Sequence, residues 1–523
     1  MKHCMSKVGQ TSQYKYRRQF VLAEQQLEGL SGWDITPLGE RYFIHTHPDL
    51  DACRYMDVDN NFELVLLGFM LNPDEVDWNN QEVLNAIGAN AKGDFDVVIQ
   101  ETYRKGGRWL LFYHKDDVYH VFADPAGLRS FFYIADPNYE LIAASQPNLI
   151  TDYQPFEISE TARTDFLETS AYTEQIEYMI PAGFSLYDEI KHLIPNHYFN
   201  LSLRQSIRFF PNTEKPRYTF EEGVDIVTGI FENLMIAASK RFKLALAVTA
   251  GYDSRIMMAA TRNLPETKYY TLKYYKLDET SNDIAIPHKM IEKVGRVHEI
   301  FDCTEPMPTE FEELYTANVH CAHPAWGNIA YGLSKHFPEG HVAVKGNCGE
   351  IGRRYYYKFD YPGYEGPALL TKLAHYEATP FGQEALRMWY EEINPAVEKY
   401  DYELLDFLYW EFRQGSWQSM SQLEWDIVQE VFVPLNCRAV LHTMLGVDPK
   451  YRDAIESKLQ RAVINNYWPV MLTVPSNPPS LKFRLYKLRK NITSNEVYQK
   501  FRDGVKKLLN IKSFHREYSD EEH

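Results

Sequence analysis

Hydrophobic positions follow two different patterns along the chain, and the pattern changes near residue 211. From about residue 20 to 205, short alternating or fully apolar runs are broken by turn residues, which is typical of antiparallel strands. The clearest predicted strands are residues 63–70, 109–113, 118–122 and 131–134, with a hairpin turn at His114-Lys115-Asp116-Asp117. Many strands with few helices between them predict an antiparallel layered fold.

From Phe220 onward, helical patterns alternate with compact apolar strands. The predicted elements are helix 220–240, strand 244–249, helix 254–262, strand 268–273 and helix 282–294. This alternation predicts a parallel sheet that is covered on both faces, and residues from about 367 to 470 are mostly helical. Because 523 residues are too many for one hydrophobic core, we expect two domains, residues 1–210 and 211–523.

Charge and composition narrow the function classes. The formal net charge of −17 repels phosphate backbones, so nucleic acid is not an expected partner. No run of about 18 or more apolar residues occurs, and residues 1–7 lack the apolar core of a secretion signal, so neither a membrane span nor export is expected. The six cysteines have no CxxC spacing, which favours reduced thiols in the cytoplasm.

The most informative segment runs from Leu244 to Arg255, where an apolar strand enters a turn of small and hydroxyl residues and then a helix. A turn that feeds a helix N-terminus presents free N–H groups to an anion. Thr249 and Ser254 add hydroxyl groups, and Gly251 permits close approach of the main chain. Asp253 would repel phosphate unless it holds Mg²⁺. The alternative interpretation is an ordinary strand–turn–helix connection.

Four segments carry a family resemblance. Thr249-Ala250-Gly251-Tyr252-Asp253-Ser254 resembles the Ser-Gly-Gly-x-Asp-Ser loop of the ATP pyrophosphatases, which cleave ATP between the α and β phosphates. Ser281-Asn282-Asp283-Ile284-Ala285 resembles the segment after the second strand of asparagine synthetase-like enzymes. Gly346-Asn347-Cys348-Gly349-Glu350 aligns on the Gly-x-Gly-Ala-Asp segment of that family, and residues 430–435 resemble its Arg-x-Pro-Phe-Leu-Asp segment.

The resemblance to asparagine synthetases and β-lactam synthetases implies specific roles for residues of this chain. Mg²⁺ would be held by Asp253 and Glu350, and the late family lysine would be Lys482, with Lys487 next. The implied ATP-binding residues are Val248, Thr249, Ala250, Gly251, Tyr252, Asp253, Ser254, Leu272 in the strand that packs on adenine, and Gly346.

The family base has no equivalent at the aligned position. Asparagine synthetases have Glu there and β-lactam synthetases have Tyr, whereas this chain has Asn347, whose amide is not basic. The nearby candidates for that role are Glu350 and the tyrosines Tyr355, Tyr356 and Tyr357.

The first domain resembles class II glutamine amidotransferases in residues 123–133, 143–147 and 190–196. The implied fold is an Ntn-type αββα sandwich, followed by a Rossmann-like parallel-sheet ATP pyrophosphatase domain with a helical C-terminal region. Those amidotransferases use Cys at position 2, where this chain has Lys2, and Cys4 would need the removal of three residues. We therefore expect a glutaminase fold without glutaminase chemistry.

The resulting hypothesis is an ATP- and Mg²⁺-dependent ligase that adenylates a small-molecule or peptide carboxylate and joins it to a substrate amine. The same chemistry fed with ammonia by a separate glutaminase is one alternative. A degenerate nucleotide-binding scaffold or regulatory protein is another. Whether the chain forms a homo-oligomer is left open by the sequence. His320-Cys321-Ala322-His323 lacks a matching second ligand pair, so a loop is favoured there over a metal site.

Overall fold

The computed structural model describes residues 14–174, 179–275, 277–321, 323–359 and 361–476. All elements given below lie in the unit that ends at Val474. Lys482, Lys487, Lys2 and Cys4 lie outside the described residues. No helix of the described residues is long and apolar enough to cross a membrane.

The strands fall into an N-terminal group, up to residue 208, and a C-terminal group, from residue 243. They are β1 Phe20–Ala23, β2 Asp34–Leu38, β3 Tyr42–Thr46, β4 Ala52–Asp57, β5 Phe62–Leu71, β6 Gly106–Lys115, β7 Val118–Ala123, β8 Phe132–Ile134, β9 Ile142–Ala144, β10 Ile190–His192, β11 His197–Asn200, β12 Gln205–Arg208, β13 Lys243–Ala247, β14 Lys268–Lys273, β15 His298–Asp302, β16 His341–Val344 and β17 Glu430–Phe432.

Most helices follow residue 219. They are α1 Asn80–Ala91, α2 Phe95–Glu101, α3 Pro147–Thr151, α4 Glu160–Ala162, α5 Ser170–Glu174, α6 Phe220–Arg241, α7 Tyr252–Ala260, α8 Asn282–Lys293, α9 Thr309–Asn318, α10 Pro324–His336, α11 Gly349–Gly352, α12 Gly366–Leu373, α13 Pro380–Lys399, α14 Leu404–Phe407, α15 Ser419–Trp425, α16 Arg438–Gly446 and α17 Lys458–Tyr467. π-Helical segments span Arg163–Leu167 and Leu408–Gln418, and 3₁₀ segments span Tyr355–Lys358, Pro449–Tyr451 and Pro469–Thr473.

Two six-stranded sheets form the N-terminal half. Sheet I has the order β10-β8-β9-β1-β3-β2 and sheet II the order β12-β11-β7-β6-β5-β4, with antiparallel pairing throughout. Because side chains alternate between the two faces of a strand, every second residue of each sheet points to the other sheet. The two sheets share one core, which contains Phe20 and Leu22 of sheet I and Leu110 and Phe112 of sheet II. The sheets therefore pack face to face, as the alternating pattern predicted.

The outer faces of these sheets are covered differently. Trp109 and Leu111 of β6 point away from the shared core and pack under α1 and α2. The outer face of sheet I is covered by α3 and by loop residues. The mixed α/β class is confirmed. The αββα resemblance implied a helical layer here, but the residue pattern did not predict α1 itself. Its signal is a capping box, in which Asn79 and Glu82 satisfy each other's backbone N–H groups at the start of α1.

The C-terminal half contains the predicted parallel sheet, in the order β15-β14-β13-β16-β17. Leu244 and Leu246 of β13 enter the large core with α6 to α8, whereas Ala245 and Ala247 face the core formed with α9, α10 and α15. Both faces are thus buried, which explains the near-continuous apolar strands. The predicted helices and strands between residues 220 and 294 all exist, with ends shifted by a few residues. The N-terminal hairpin is also present, but its turn is Asp116-Asp117, because His114 and Lys115 belong to β6.

A buried ionic seam joins sheet II to the parallel sheet. Arg108 of β6 pairs with Asp426, and at 2.9 Å with Glu430 at the start of β17, while Arg129 pairs with Glu430 at 2.8 Å. Beside these pairs, Asn436 donates to Asp124 (2.6 Å) and accepts from the Ala126 N–H (2.8 Å). The turn at residues 123–133 thus serves as the docking point between the two halves.

We expect Arg108→Met to lower the free energy of unfolding by about 3–5 kcal/mol, because Asp426 and Glu430 would stay buried with less positive charge beside them. Denaturant unfolding measures the change. Arg387→Met is the matched control, since Arg387 makes its ion pairs with Glu384 and Glu391 on an exposed helix face. A similar result for both variants would contradict a structural role for the seam.

Candidate functional site

The candidate site lies where the strand order of the parallel sheet reverses. β13 precedes β14 and β15 on one side, and β16 and β17 follow on the other, so the connections after β13 and β16 leave in opposite directions. Ligands of open α/β sheets bind in the crevice at the carboxyl ends of such neighbouring strands. The loop at 248–254 follows β13 and the loop at 345–350 follows β16, which brings the two sequence motifs together.

Internal hydrogen bonds hold the first loop. The Thr249 N–H donates to Ser254 Oγ (3.0 Å), and Ser254 Oγ donates to the Thr249 carbonyl (3.0 Å). The Ala250 N–H donates to Asp283 Oδ1 at 3.1 Å, so the first turn of α8 supports the loop. Val248 is buried and tied to the next strand, since its N–H donates to the Tyr270 carbonyl at 2.8 Å. These contacts give Ser254, Ala250 and Val248 roles in shaping the loop.

The N-terminus of α7 remains open to a ligand. Gly251 is its N-cap residue, and no side chain caps the helix among the described residues. A methyl group added at Gly251 would meet only Thr249 Oγ1, at 3.8 Å, so the space above the loop is free. Uncapped N–H groups and the helix dipole together attract an anion to Tyr252, Asp253 and Ser254.

Two glycines allow the second loop to approach the first. A Cβ atom at Gly346 would lie 2.7 Å from the Asp253 carbonyl carbon, and one at Gly349 would lie 2.4 Å from Asp253 Oδ1. Both contacts are closer than a side chain permits. Gly346 therefore acts by letting the two loops pack together, and its place in the site follows from its small size. Cys348, between them, has φ of 69°, the left-handed conformation that favours glycine.

Arg353 bridges the two predicted metal ligands. Its Nη2 lies 3.0 Å from Asp253 Oδ2 and 3.3 Å from Glu350 Oε1, and all three side chains are less than 20% exposed. The other oxygen of each acid, Asp253 Oδ1 and Glu350 Oε2, is buried and has no hydrogen-bond partner. We call Asp253 and Glu350 the acidic pair. Two carboxylates facing one guanidinium leave this buried cluster one positive charge short.

The missing positive charge affects the pKa of Asp253. Burial, reinforced by Glu350 and opposed by Arg353, raises the pKa of Asp253 from 3.8 to about 7. Burial alone would lower the pKa of Arg353, but Asp253 and Glu350 reverse this and raise it. An additional cation would relieve the same deficit, which fits oxygen ligands for a divalent metal.

Sequence reasoning missed a row of glutamines beside the second loop. Gln418 accepts a hydrogen bond from Asn347 Nδ2 at 2.9 Å, and Gln422 accepts one from Lys345 Nζ at 2.9 Å. Gln414 accepts a weak hydrogen bond from Cys348 Sγ at 3.7 Å. The three glutamines are four residues apart in the π-helix and α15, and this spacing was the available signal. π-Helical turns are rare and frequently lie at functional sites.

The predicted catalytic tyrosines lie in an aromatic cluster next to Arg353. The Tyr355 ring centroid lies 4.8 Å from that of Tyr409, and Lys358 Nζ lies 3.9 Å above the Tyr355 ring. Burial raises the pKa of Tyr356 to about 12 and raises that of Tyr357 further, which disfavours both as bases. Lys358 was not predicted. Burial, with Arg353 and Arg413, lowers its pKa to about 8.

The strand predicted to pack on adenine borders an open cavity. Leu272 is half-buried near the end of β14, and a cavity of about 290 Å³ opens beyond that end and the end of β15. Its lining residues are Tyr274, Tyr275, Cys303, Thr304, Ala325 and Asn328. The acidic pair does not line this cavity. In the described part of the chain, no group of three or more His, Cys, Asp or Glu side chains could hold a metal.

No family model matches the chain, and no curated protein matches it. Among solved structures, it is similar to the glutamine-dependent NAD⁺ synthetase of Acinetobacter baumannii in complex with ADP, at 15% identity over 32% of each chain and a TM-score of 0.17. The PRPP amidotransferase of B. subtilis complexed with ADP and GMP is 10% identical over 67% of this chain and 74% of that chain, with a TM-score of 0.24. The chain covers about a third of the first structure. These similarities are low, so we base the function on the site residues.

We expect Asp253→Asn to stabilise the protein at high pH. The folded-state pKa of about 7 exceeds the ordinary 3.8, so the wild-type carboxyl binds more protons when folded and its stability falls as pH rises between these values. Above pH 7 the amide removes this cost, which we place at about 1–3 kcal/mol, and at pH 4 the gain vanishes. Thermal unfolding against pH measures it.

Asp302→Asn serves as the control, because Asp302 ends the neighbouring strand with a half-exposed side chain whose hydrogen bonds with Thr304 lower its pKa. The control variant should gain no stability at high pH. A pH-independent effect of Asp253→Asn would contradict the buried charge deficit.

Proposed function

We propose that this chain is an ATP-dependent synthetase that activates a carboxylate as its adenylate and joins it to a substrate amine. The observation that carries the proposal is the meeting, at one sheet edge, of an uncapped helix N-terminus with a buried acidic pair that lacks positive charge. The first feature suits phosphate, and the second suits the cation that accompanies ATP.

The acidic pair offers the kind of oxygen ligands that Mg²⁺ binds. Asp253 Oδ1 and Glu350 Oε2 are oxygen donors that are buried without partners, and Mg²⁺ sites in nucleotide enzymes use one or two carboxylates plus substrate phosphates. Bound Mg²⁺ would supply neutralisation of the charge on the pyrophosphate. In its absence, Arg353 supplies part of that positive charge to the two carboxylates.

Each part of the site has a task in this reaction. A carboxylate oxygen of the substrate attacks the α-phosphorus of ATP, the bond to the β-phosphate oxygen breaks, and pyrophosphate leaves. The N-terminus of α7 orients the phosphates, and Arg353 lies where it can face the departing charge. The amine then attacks the acyl carbon, AMP leaves, and the nitrogen gives up a proton.

Asn347 cannot be the group that accepts this proton. Its amide is instead held by Gln418, which orients the loop after β16. Lys358, with its lowered pKa, is a better candidate than Tyr356 or Tyr357. The left-handed backbone at Cys348 supports the alignment with the synthetase segment, which has glycine at this position.

A degenerate nucleotide-binding protein is the second candidate. It is favoured by Arg353, which already occupies the acidic pair, and by Asp283, which already accepts a hydrogen bond from the phosphate loop. The two readings differ in chemistry, since a scaffold would bind ATP without breaking it.

The deciding experiment offers Mg-ATP with a panel of carboxylates and follows exchange of labelled pyrophosphate into ATP. We expect carboxylate-dependent exchange, and AMP as the nucleotide product once an amine is added. Asp253→Asn and Glu350→Gln should each reduce the exchange rate by on the order of a hundredfold or more, because transition-state charge is stabilised by several kcal/mol at such sites.

Asp302→Asn is again the matched control and should retain wild-type exchange. Formation of ADP and phosphate would rule out adenylation. Tight ATP binding without any turnover across the panel would favour the degenerate reading. An equal loss of exchange rate in the control and in the two site variants would show that the acidic pair is not the site of the reaction.

A further inference from the structure

A small second cavity lies between the N-terminal half and the parallel-sheet half, away from the acidic pair. It holds about 50 Å³ and is lined from three directions: by Tyr172, by the segment around Cys321 and Trp326, and by Trp417, Met420 and Glu424 of the π-helix and α15. The lining therefore combines several aromatic rings with a single acidic group. Among the described lining residues there is no lysine or arginine.

Glu424 is the unusual member of this lining. Its side chain is buried, with 7% of the residue exposed, and its Oε2 is buried without a hydrogen-bond partner. Buried carboxyl groups are ordinarily paired, because leaving one without a partner costs several kcal/mol. Burial raises the pKa of Glu424 to about 8, with Lys345 acting in the opposite direction.

The nearby charged and basic groups do not satisfy Glu424. Lys345 donates to Gln422 at 2.9 Å and lies 3.8 Å above the Trp425 ring, so its ammonium is already placed. Burial lowers the pKa of His320 to about 3 and also lowers that of His323, which leaves both imidazoles neutral near pH 7. A ligand that brings its own positive charge would complete this site.

The lining selects the kind of cation. Aromatic faces attract organic ammonium groups, and a carboxylate accepts their N–H hydrogen bonds. The small volume excludes a guanidinium-bearing peptide or a quaternary ammonium with bulky substituents, but it admits a primary ammonium head on a short alkyl stem. Met420 and Trp326 offer apolar surface to such a stem.

The cavity is also next to the loop after β16. Ser416 and Trp417 line it, and the following residue, Gln418, accepts the hydrogen bond from Asn347. Asn347 lies three residues before Glu350 of the acidic pair. The helix that lines the cavity thus also contacts the loop that carries Glu350.

We propose that this cavity binds the primary ammonium head of the amine substrate, with Glu424 as the acceptor of its hydrogen bonds. Calling this ligand the substrate rests on the proposed function, whereas the binding of an alkylammonium ion does not. Glu424 is then a specificity-determining residue that favours an ammonium over a neutral isostere, because the cation stabilises the ionised carboxylate in this buried place and an alcohol does not.

The test titrates the full chain, without ATP, with methylammonium and with methanol as its neutral isostere, and follows binding by calorimetry. We expect saturable binding of methylammonium and none of methanol. Glu424→Gln should weaken methylammonium binding tenfold or more, since a charge-assisted hydrogen bond is lost. Ser421→Ala, which removes a neutral hydroxyl from the same lining, is the matched control and should stay within twofold.

Three outcomes would overturn the proposal: no saturable binding to the wild type, equal affinity of Glu424→Gln, or methanol competing with methylammonium. Glu424→Asp keeps the charge and should retain part of the binding, which guards against a variant that fails to fold. Pyrophosphate exchange is measured separately and needs no amine. Loss of exchange with intact ammonium binding would contradict only the adenylation chemistry, and the reverse would contradict only the amine site.

Discussion

The buried pairing of Arg108 with Asp426 and Glu430 is the contact on which the arrangement of the site depends. Arg108 comes from the middle of sheet II, and its partners flank the start of β17 at the edge of the parallel sheet. Charges that are this deeply buried tolerate little displacement, because each loses its compensation when it moves. The seam therefore sets where α15 and the π-helix lie, and with them the glutamines that contact the loop after β16.

The acidic pair shows the opposite balance. The seam is closed by opposite charges, whereas Asp253, Glu350 and Arg353 keep a net negative charge in a buried place. Such an arrangement lowers stability and is retained where a ligand supplies the missing charge. Glu424, whose Oε2 is buried without a hydrogen-bond partner, is a second acid that burial leaves without close compensation and whose pKa is raised to about 8.

Local patterns were sufficient for the parallel sheet and for the strand–turn–helix at residues 244–255. Strands β13, β14 and β16 are short apolar runs bounded by turn residues, and the helices between them have helical spacing, so each could be predicted alone. In the N-terminal half, the strands were predicted and α1 was not, although its capping box is local. In that region the many neighbouring strand patterns favoured a strand-only prediction, and the capping box of α1, which involves only four residues, was not used. Asp253 and Glu350 were paired through the motif order, and parallel strands bring their carboxyl ends to one edge.

The sequence by itself determined the strands and helices of the parallel sheet and the strand–turn–helix at residues 244–255, because these depend on periodicity and on the chemistry of neighbouring residues. Only the tertiary structure decided that Arg353 bridges the acidic pair, that Gln418 holds Asn347, and that Glu424 faces a cavity without a partner. Arg353 is close in sequence to Glu350 but about a hundred residues from Asp253, and Gln418 is separated from Asn347 by 71 positions. Contacts at such separations depend on how the elements pack, and no pattern within one segment records that packing.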